Sequence, residues 1–135
     1  MDKPTALSVY LHWPFCLKIC PYCDFNVHRH RNVDEAQWFR WFSTELENAK
    51  QLRAEGPVET VYFGGGTPSL MSPQLVGKLL TKMDQLWGMA PSAEISLEAN
   101  PENIEITHLQ SLRAAGISRL SLGLQSFDDR ALKFL

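Results

Sequence analysis

Val58-Glu-Thr-Val-Tyr-Phe63-Gly-Gly-Gly66-Thr-Pro68-Ser-Leu-Met-Ser72-Pro73 decides the architecture of this chain. Val58 to Phe63 is a short apolar run with β-branched and aromatic members, and it enters a glycine-rich turn directly. Ser72-Pro73 is an N-cap followed by proline at the first helical position, and Leu75, Leu79, Met83 and Leu86 continue one helical face to about Trp87. The segment therefore predicts strand, loop and helix.

The same unit recurs on both sides. Upstream, Ser8-Val-Tyr-Leu-His12 reads as a strand stopped by Pro14. A long loop follows. Asp34 is a candidate N-cap with Gln37 three residues on, and Trp38, Trp41, Phe42, Glu45 and Ala49 keep helical spacing until Gly56-Pro57. The Trp38, Trp41 and Phe42 stripe is read as core. Downstream, Glu94-Ile-Ser-Leu-Glu98 alternates like a strand, Glu105 to Ala115 is a helix stopped at Gly116, and Arg119 to Leu124 is a fourth strand. Asp128 caps a last helix. Strictly alternating strands and helices predict an α/β fold with a parallel sheet and right-handed crossovers. In such folds the carboxyl ends of the strands face one mouth, where ligands bind. The cysteines, the glycine run, Glu98 and Gln125 all fall at those ends.

The 135 residues are 44% hydrophobic and 21% charged, ordinary for one globular unit. A formal net charge of −2 provides no broad field for phosphate backbones, which argues against a nucleic-acid partner. The run His28-Arg29-His30-Arg31 is either a solvated loop face or a docking patch for an acidic electron donor. No transmembrane segment and no secretory signal is legible, so the expected location is cytoplasmic. A reducing compartment keeps the three cysteines as thiols open to metal.

Those cysteines, Cys16, Cys20 and Cys23, lie within eight residues and are the only ones in the chain. Three thiolates are one short of a closed iron–sulfur or zinc site, which leaves one coordination position open. Spacing alone leaves two metals in balance: a [4Fe–4S] cube with a chelating small molecule on its fourth iron, or zinc with His12, His28 or His30 as fourth ligand. The glycines permit close backbone approach to a ligand, although taken alone they also make a tight turn. They lack the spacing of a phosphate-binding loop. Glu98, ending an apolar strand, suits an ammonium-bearing ligand, and Gln125 can bridge ribose hydroxyls. Each is also an ordinary structural residue.

Taken together, the motifs resemble those of the radical S-adenosylmethionine family. The Cys-x-x-x-Cys-x-x-Cys spacing with Tyr22 before the last cysteine is similar to its cluster motif. Tyr10-Leu-His12-Trp-Pro14-Phe-Cys16, Gly64-Gly-Gly-Thr67-Pro68, Glu98-Ala-Asn-Pro101 and Gly116-Ile-Ser-Arg119-Leu-Ser-Leu-Gly-Leu-Gln125-Ser-Phe127 resemble the oxygen-independent coproporphyrinogen III oxidase group within it. The resemblance implies a partial (βα)6 barrel, of which residues 1–135 are the N-terminal part and about the first four strands, since a complete one takes on the order of 200 residues. It implies a [4Fe–4S] cluster on Cys16, Cys20 and Cys23, with S-adenosylmethionine bound by Tyr10, Tyr22, Gly65, Gly66, Thr67, Glu98 and Gln125 and cleaved to a 5′-deoxyadenosyl radical. Two branches follow. One is a porphyrinogen-decarboxylating dehydrogenase that makes protoporphyrinogen IX; the other is a heme chaperone serving respiratory proteins. Cys23-Asp24-Phe25 lacks the further thiol usual in the dehydrogenase branch, which favours the chaperone-like one. Implied partners are heme or a porphyrinogen, bound through a C-terminal part beyond these residues, and an electron donor such as a flavodoxin. A zinc-binding interaction module is the remaining alternative.

Overall fold

The computed structural model describes residues 5–52 and 55–135. Strand β1 (Leu7–Trp13) leads into a loop that holds two short strands, β2 (Phe15–Cys16) and β3 (His28–Arg29). Helix α1 (Glu35–Gln51) and strand β4 (Val58–Gly65) follow. Next come α2 (Pro73–Trp87), β5 (Met89–Ala99), α3 (Ile106–Ala115), β6 (Arg119–Leu122) and α4 (Asp129–Phe134). The main sheet has the order β1-β4-β5-β6, and every pairing in it is parallel. This is the expected α/β architecture, with its four strands in chain order.

The helices begin where local chemistry satisfies their first amides. Asp34 accepts from the Gln37 amide at 3.0 Å, Ser72 from Leu75 at 3.1 Å and Asp128 from Ala131 at 2.9 Å. Glu35 in the first turn of α1 accepts from both the amide and the hydroxyl of Ser72, which ties the starts of α1 and α2 together. Gly116 ends α3 with φ +121°, a conformation that favours glycine.

Period-two alternation sorts the strand residues by face. Leu11, Trp13, Val61, Phe63, Ile95, Leu97 and Ala99 are buried in one cluster with Leu75, Val76, Leu79, Leu80 and Met83 of α2. Each large side chain in such a core contributes roughly 1.5–3 kcal/mol relative to exposure. The alternate positions, Tyr10, Tyr62, Ser96, Glu98 and Ser121, are polar or amphipathic. They make a second, hydrogen-bonding face that carries the site.

The element ends differ from the sequence reading by a residue or two in β1 and α3, α1 ends at Gln51 ahead of Gly56-Pro57, and the larger differences have local causes. β4 continues through Gly64 and Gly65, because both glycines pair with His12 and Trp13 of β1. β5 starts at Met89 rather than Glu94: Val58 opposes Met89 but Thr60 opposes Glu94, an irregularity that accommodates Pro91. β6 stops at Leu122, two residues short, where Gly123 turns away and donates to the Ala99 carbonyl at 3.0 Å. His28-Arg29 is not loop but strand, paired in parallel with Phe15-Cys16. The aromatic stripe of α1 also divides. Trp38 and Phe42 pack against the core, whereas Trp41 is 53% exposed, its ring edge-on to Trp38. At 100° per residue Trp38 and Phe42 lie 40° apart and Trp41 falls 60° to the other side, away from the sheet.

Candidate functional site

The cysteine loop is held at the strand ends by its own backbone. His28 donates to the Pro14 carbonyl at 2.6 Å and His30 to the Cys16 carbonyl at 2.8 Å, so the β2–β3 pair closes the loop at its base. Cys23 donates to the Cys20 carbonyl at 3.1 Å, a turn that brings the second and third cysteines close together. All three thiols are free and half-buried. Burial pushes the Cys16 thiol up from its ordinary pKa, a hydrogen bond with Thr67 offsets part of this, and the neighbouring Cys23 and Cys20 raise it further. Tyr22 lies against the same group: desolvation, then Cys20, raises its phenol. Among the described residues, no three cysteine, histidine or carboxylate groups meet at a single-ion site.

Gly65 and Gly66 form the opposite wall. Gly65 has φ +114°, and a Cβ there would lie 2.8 Å from both the His12 ring and the Trp13 carbonyl. A Cβ on Gly66 would lie 2.7 Å from the Phe15 carbonyl oxygen and 2.9 Å from Cys16 Sγ. The absent side chains let the strip sit directly against the first cysteine. Thr67 is buried, donates its amide to Phe15 at 2.8 Å and receives the Asn100 side chain at 3.2 Å, which joins the ends of β4 and β5.

Between these walls is a cleft of about 330 Å³. Cys16, Cys20, Cys23, Tyr22, Gly65, Gly66, Glu98 and Gln125 all line it. Residues dispersed over a hundred positions of sequence thus share one cavity. Glu98 is half-buried there, accepting from the Tyr62 hydroxyl at 2.8 Å and from the Gly65 amide at 3.1 Å. Gln125 stands exposed at the rim over Gly123, where an added Cβ would meet its Nε2 at 2.9 Å.

Two residues of the expected set stand outside the lining. Thr67 lies behind the strip, in contact with Cys16. Tyr10 sits below the cleft, stacked on Tyr62 with ring centroids 6.0 Å apart. Its hydroxyl meets His12 Nδ1 at 3.2 Å, and His12 Nε2 meets the Asn26 carbonyl at 3.1 Å. A carbonyl only accepts, so Nε2 donates to it, and Nδ1 shares the contact with the Tyr10 hydroxyl. Both ring nitrogens of His12 are engaged. Tyr62 and Asn100 are the site residues the sequence reading missed. Tyr62 was detectable only through alternation, which puts it on the same face as Glu98 in the neighbouring strand.

A family model described as the radical SAM superfamily matches residues 10–135. The chain belongs to the radical SAM superfamily. Among its radical SAM relatives, the mitochondrial "Radical S-adenosyl methionine domain-containing protein 1" of Bos taurus is 44% identical over 95% of this chain and 29% of that protein. "Heme chaperone HemW" of Escherichia coli is 38% identical over 100% of this chain and 36% of its own length. The solved structure of the radical SAM enzyme coproporphyrinogen III oxidase (HemN) from Escherichia coli superimposes with a TM-score of 0.83 at 32% identity, over 93% of this chain and 29% of that one. The chain thus spans about a third of the length of the relatives it matches. Among the described residues, no helix is long and apolar enough to cross a membrane.

Proposed function

We propose that the cleft holds a [4Fe–4S] cluster on Cys16, Cys20 and Cys23 and S-adenosylmethionine beside it, in a protein of heme or porphyrin metabolism acting as a heme chaperone. The observation that carries this reading is the convergence of three free thiols, a side-chain-free strip and one carboxylate on a single cavity. The donor set fits the group. Soft thiolates suit iron–sulfur ligation, and Glu98, the only acid lining the cleft among the described residues, suits the ammonium of the methionine moiety. When bound, the cluster and S-adenosylmethionine supply reductive one-electron chemistry.

The chain's own part is to bind, orient and exclude water. Gly65 and Gly66 offer backbone groups at close range, Thr67 steadies Cys16 from behind, and Tyr22 and Gln125 close the two sides. Tyr10 contributes from below by supporting Tyr62. The zinc module is disfavoured by the engaged nitrogens of His12 and by membership of the superfamily. The exposed His28-Arg29 strand, in register with Phe15-Cys16, supports approach of an acidic electron donor such as a flavodoxin beside the first cysteine. Residues 1–135 are proposed as the N-terminal part of a radical SAM core whose remainder meets heme and the accepting respiratory proteins, in the cytoplasm.

Cys23-Asp24-Phe25, without a further thiol, and similarity to proteins named heme chaperones support the chaperone reading. The structural likeness to HemN supports a second reading, coproporphyrinogen dehydrogenase activity. Incubating the full-length, reconstituted protein with heme and, separately, with coproporphyrinogen III under air-free conditions distinguishes them. Stable heme binding without formation of protoporphyrinogen IX is expected; sustained decarboxylation would overturn the chaperone assignment.

A further inference from the structure

Glu98 is the one acid lining the cleft among the described residues, and its side chain has three rotatable bonds, so something must aim it. Two donors do. The Gly65 amide takes Oε2 at 3.1 Å and the Tyr62 hydroxyl takes Oε1 at 2.8 Å, one from the backbone and one from a side chain 36 residues away. A carboxylate offers about four lone-pair sites, so this arrangement occupies both oxygens while leaving acceptor capacity for a ligand. Tyr62 is itself held. Its ring stacks on Tyr10 at an interplanar angle of 17°, and both rings close over Gly64, where a Cβ would lie 2.7 Å from Tyr10 and 2.9 Å from Tyr62. Ser121 on β6 faces the same phenol. The Tyr62 ring is half-buried on the polar face of the sheet, outside the apolar cluster under the helices, so the core makes no demand on its hydroxyl.

We propose that Tyr62 is a positioning residue that aims Glu98 at the ammonium group of the cleft's ligand, an inference that rests on reading the cleft as an S-adenosylmethionine site. Tyr62→Phe removes one oxygen and keeps the stacked ring, so the tier beneath the cleft stays in place. Without the phenol, Glu98 keeps a single donor and can swing from the strip. The closing experiment is a double-mutant cycle of Tyr62→Phe and Glu98→Gln in the full-length, reconstituted protein, read by equilibrium binding of S-adenosylmethionine and by iron content. Tyr62→Phe is expected to weaken binding about tenfold, the scale of one hydrogen bond to a charged group, with iron content unchanged. In the Glu98→Gln background the same change is expected to cost little more. Additive losses, or loss of iron in Tyr62→Phe, would mean a structural role and overturn the inference. Wild-type affinity in Tyr62→Phe with weakened binding in Glu98→Gln would overturn the inference alone. Unaltered affinity in Glu98→Gln would remove the reading of Glu98 and the inference with it.

Discussion

Replacing Cys20 with alanine is expected to reduce iron in the reconstituted protein to background and to abolish the visible charge-transfer absorbance. Two thiolates cannot retain a cube against exchange with solvent and chelators, and His12 is not free to substitute, since both its nitrogens are already bonded. The polypeptide itself should survive. The turn at the loop tip is made by the Cys20 carbonyl and the Cys23 amide, and its base by the β2–β3 pair, none of which involves the Cys20 thiol. Far-ultraviolet circular dichroism of Cys20→Ala should therefore match the parent. Iron retained at the parental level, with the same absorbance, would contradict the ligand assignment.

Gly66→Ala is the second large effect. Its Cβ would enter 2.7 Å from the Phe15 carbonyl oxygen, which is fixed by the Thr67 amide at 2.8 Å, and 2.9 Å from Cys16 Sγ. Backbone cannot yield as a flexible side chain can, so the cysteine must move. A destabilisation of about 1–3 kcal/mol is expected from overpacking, together with loss of most of the bound iron. Gly77→Ala is the matched control. That glycine lies inside α2 with its nearest neighbour, the Ala115 Cβ, 4.0 Å from the added atom, so about 0.5–1 kcal/mol of stabilisation is expected there. Denaturant midpoints and iron content of the two variants provide the comparison; equal behaviour would mean that Gly66 is an ordinary turn residue.

Much of this architecture was legible in local chemistry. Asp34, Ser72 and Asp128 each cap the helix their side chains announce, because an N-cap depends on three or four consecutive residues. The parallel order followed from strict alternation of elements. The β2–β3 pair was hidden because a two-residue strand has no periodicity to read, and its partners are thirteen positions apart. The start of β5 was hidden because Pro91 breaks the alternation inside an irregular stretch that still belongs to the strand. Trp41 was misread because residues three and four apart read as one stripe in sequence, yet on the helix Trp41 lies 60° to one side of Trp38 and Phe42 40° to the other, and the sheet covers only the latter side. At the site, the cysteines, glycines, Glu98 and Gln125 were identifiable as strand-end residues, and the cavity unites them. Tyr62 was not, since its hydroxyl acquires meaning only through a carboxylate on the next strand. Nor was the placing of Tyr10 below the cleft, which depends on the register that stacks it on Tyr62.

The central claim is that three sulfur ligands hold an iron cube with one vertex left to a small molecule. Mössbauer spectra of air-free protein reconstituted with isotopically enriched iron, recorded with and without S-adenosylmethionine, test it directly. The account predicts a cubane signal in which one iron site changes on addition of the nucleotide while the others stay as they were. A spectrum with no cubane, or one in which S-adenosylmethionine alters nothing, would contradict it.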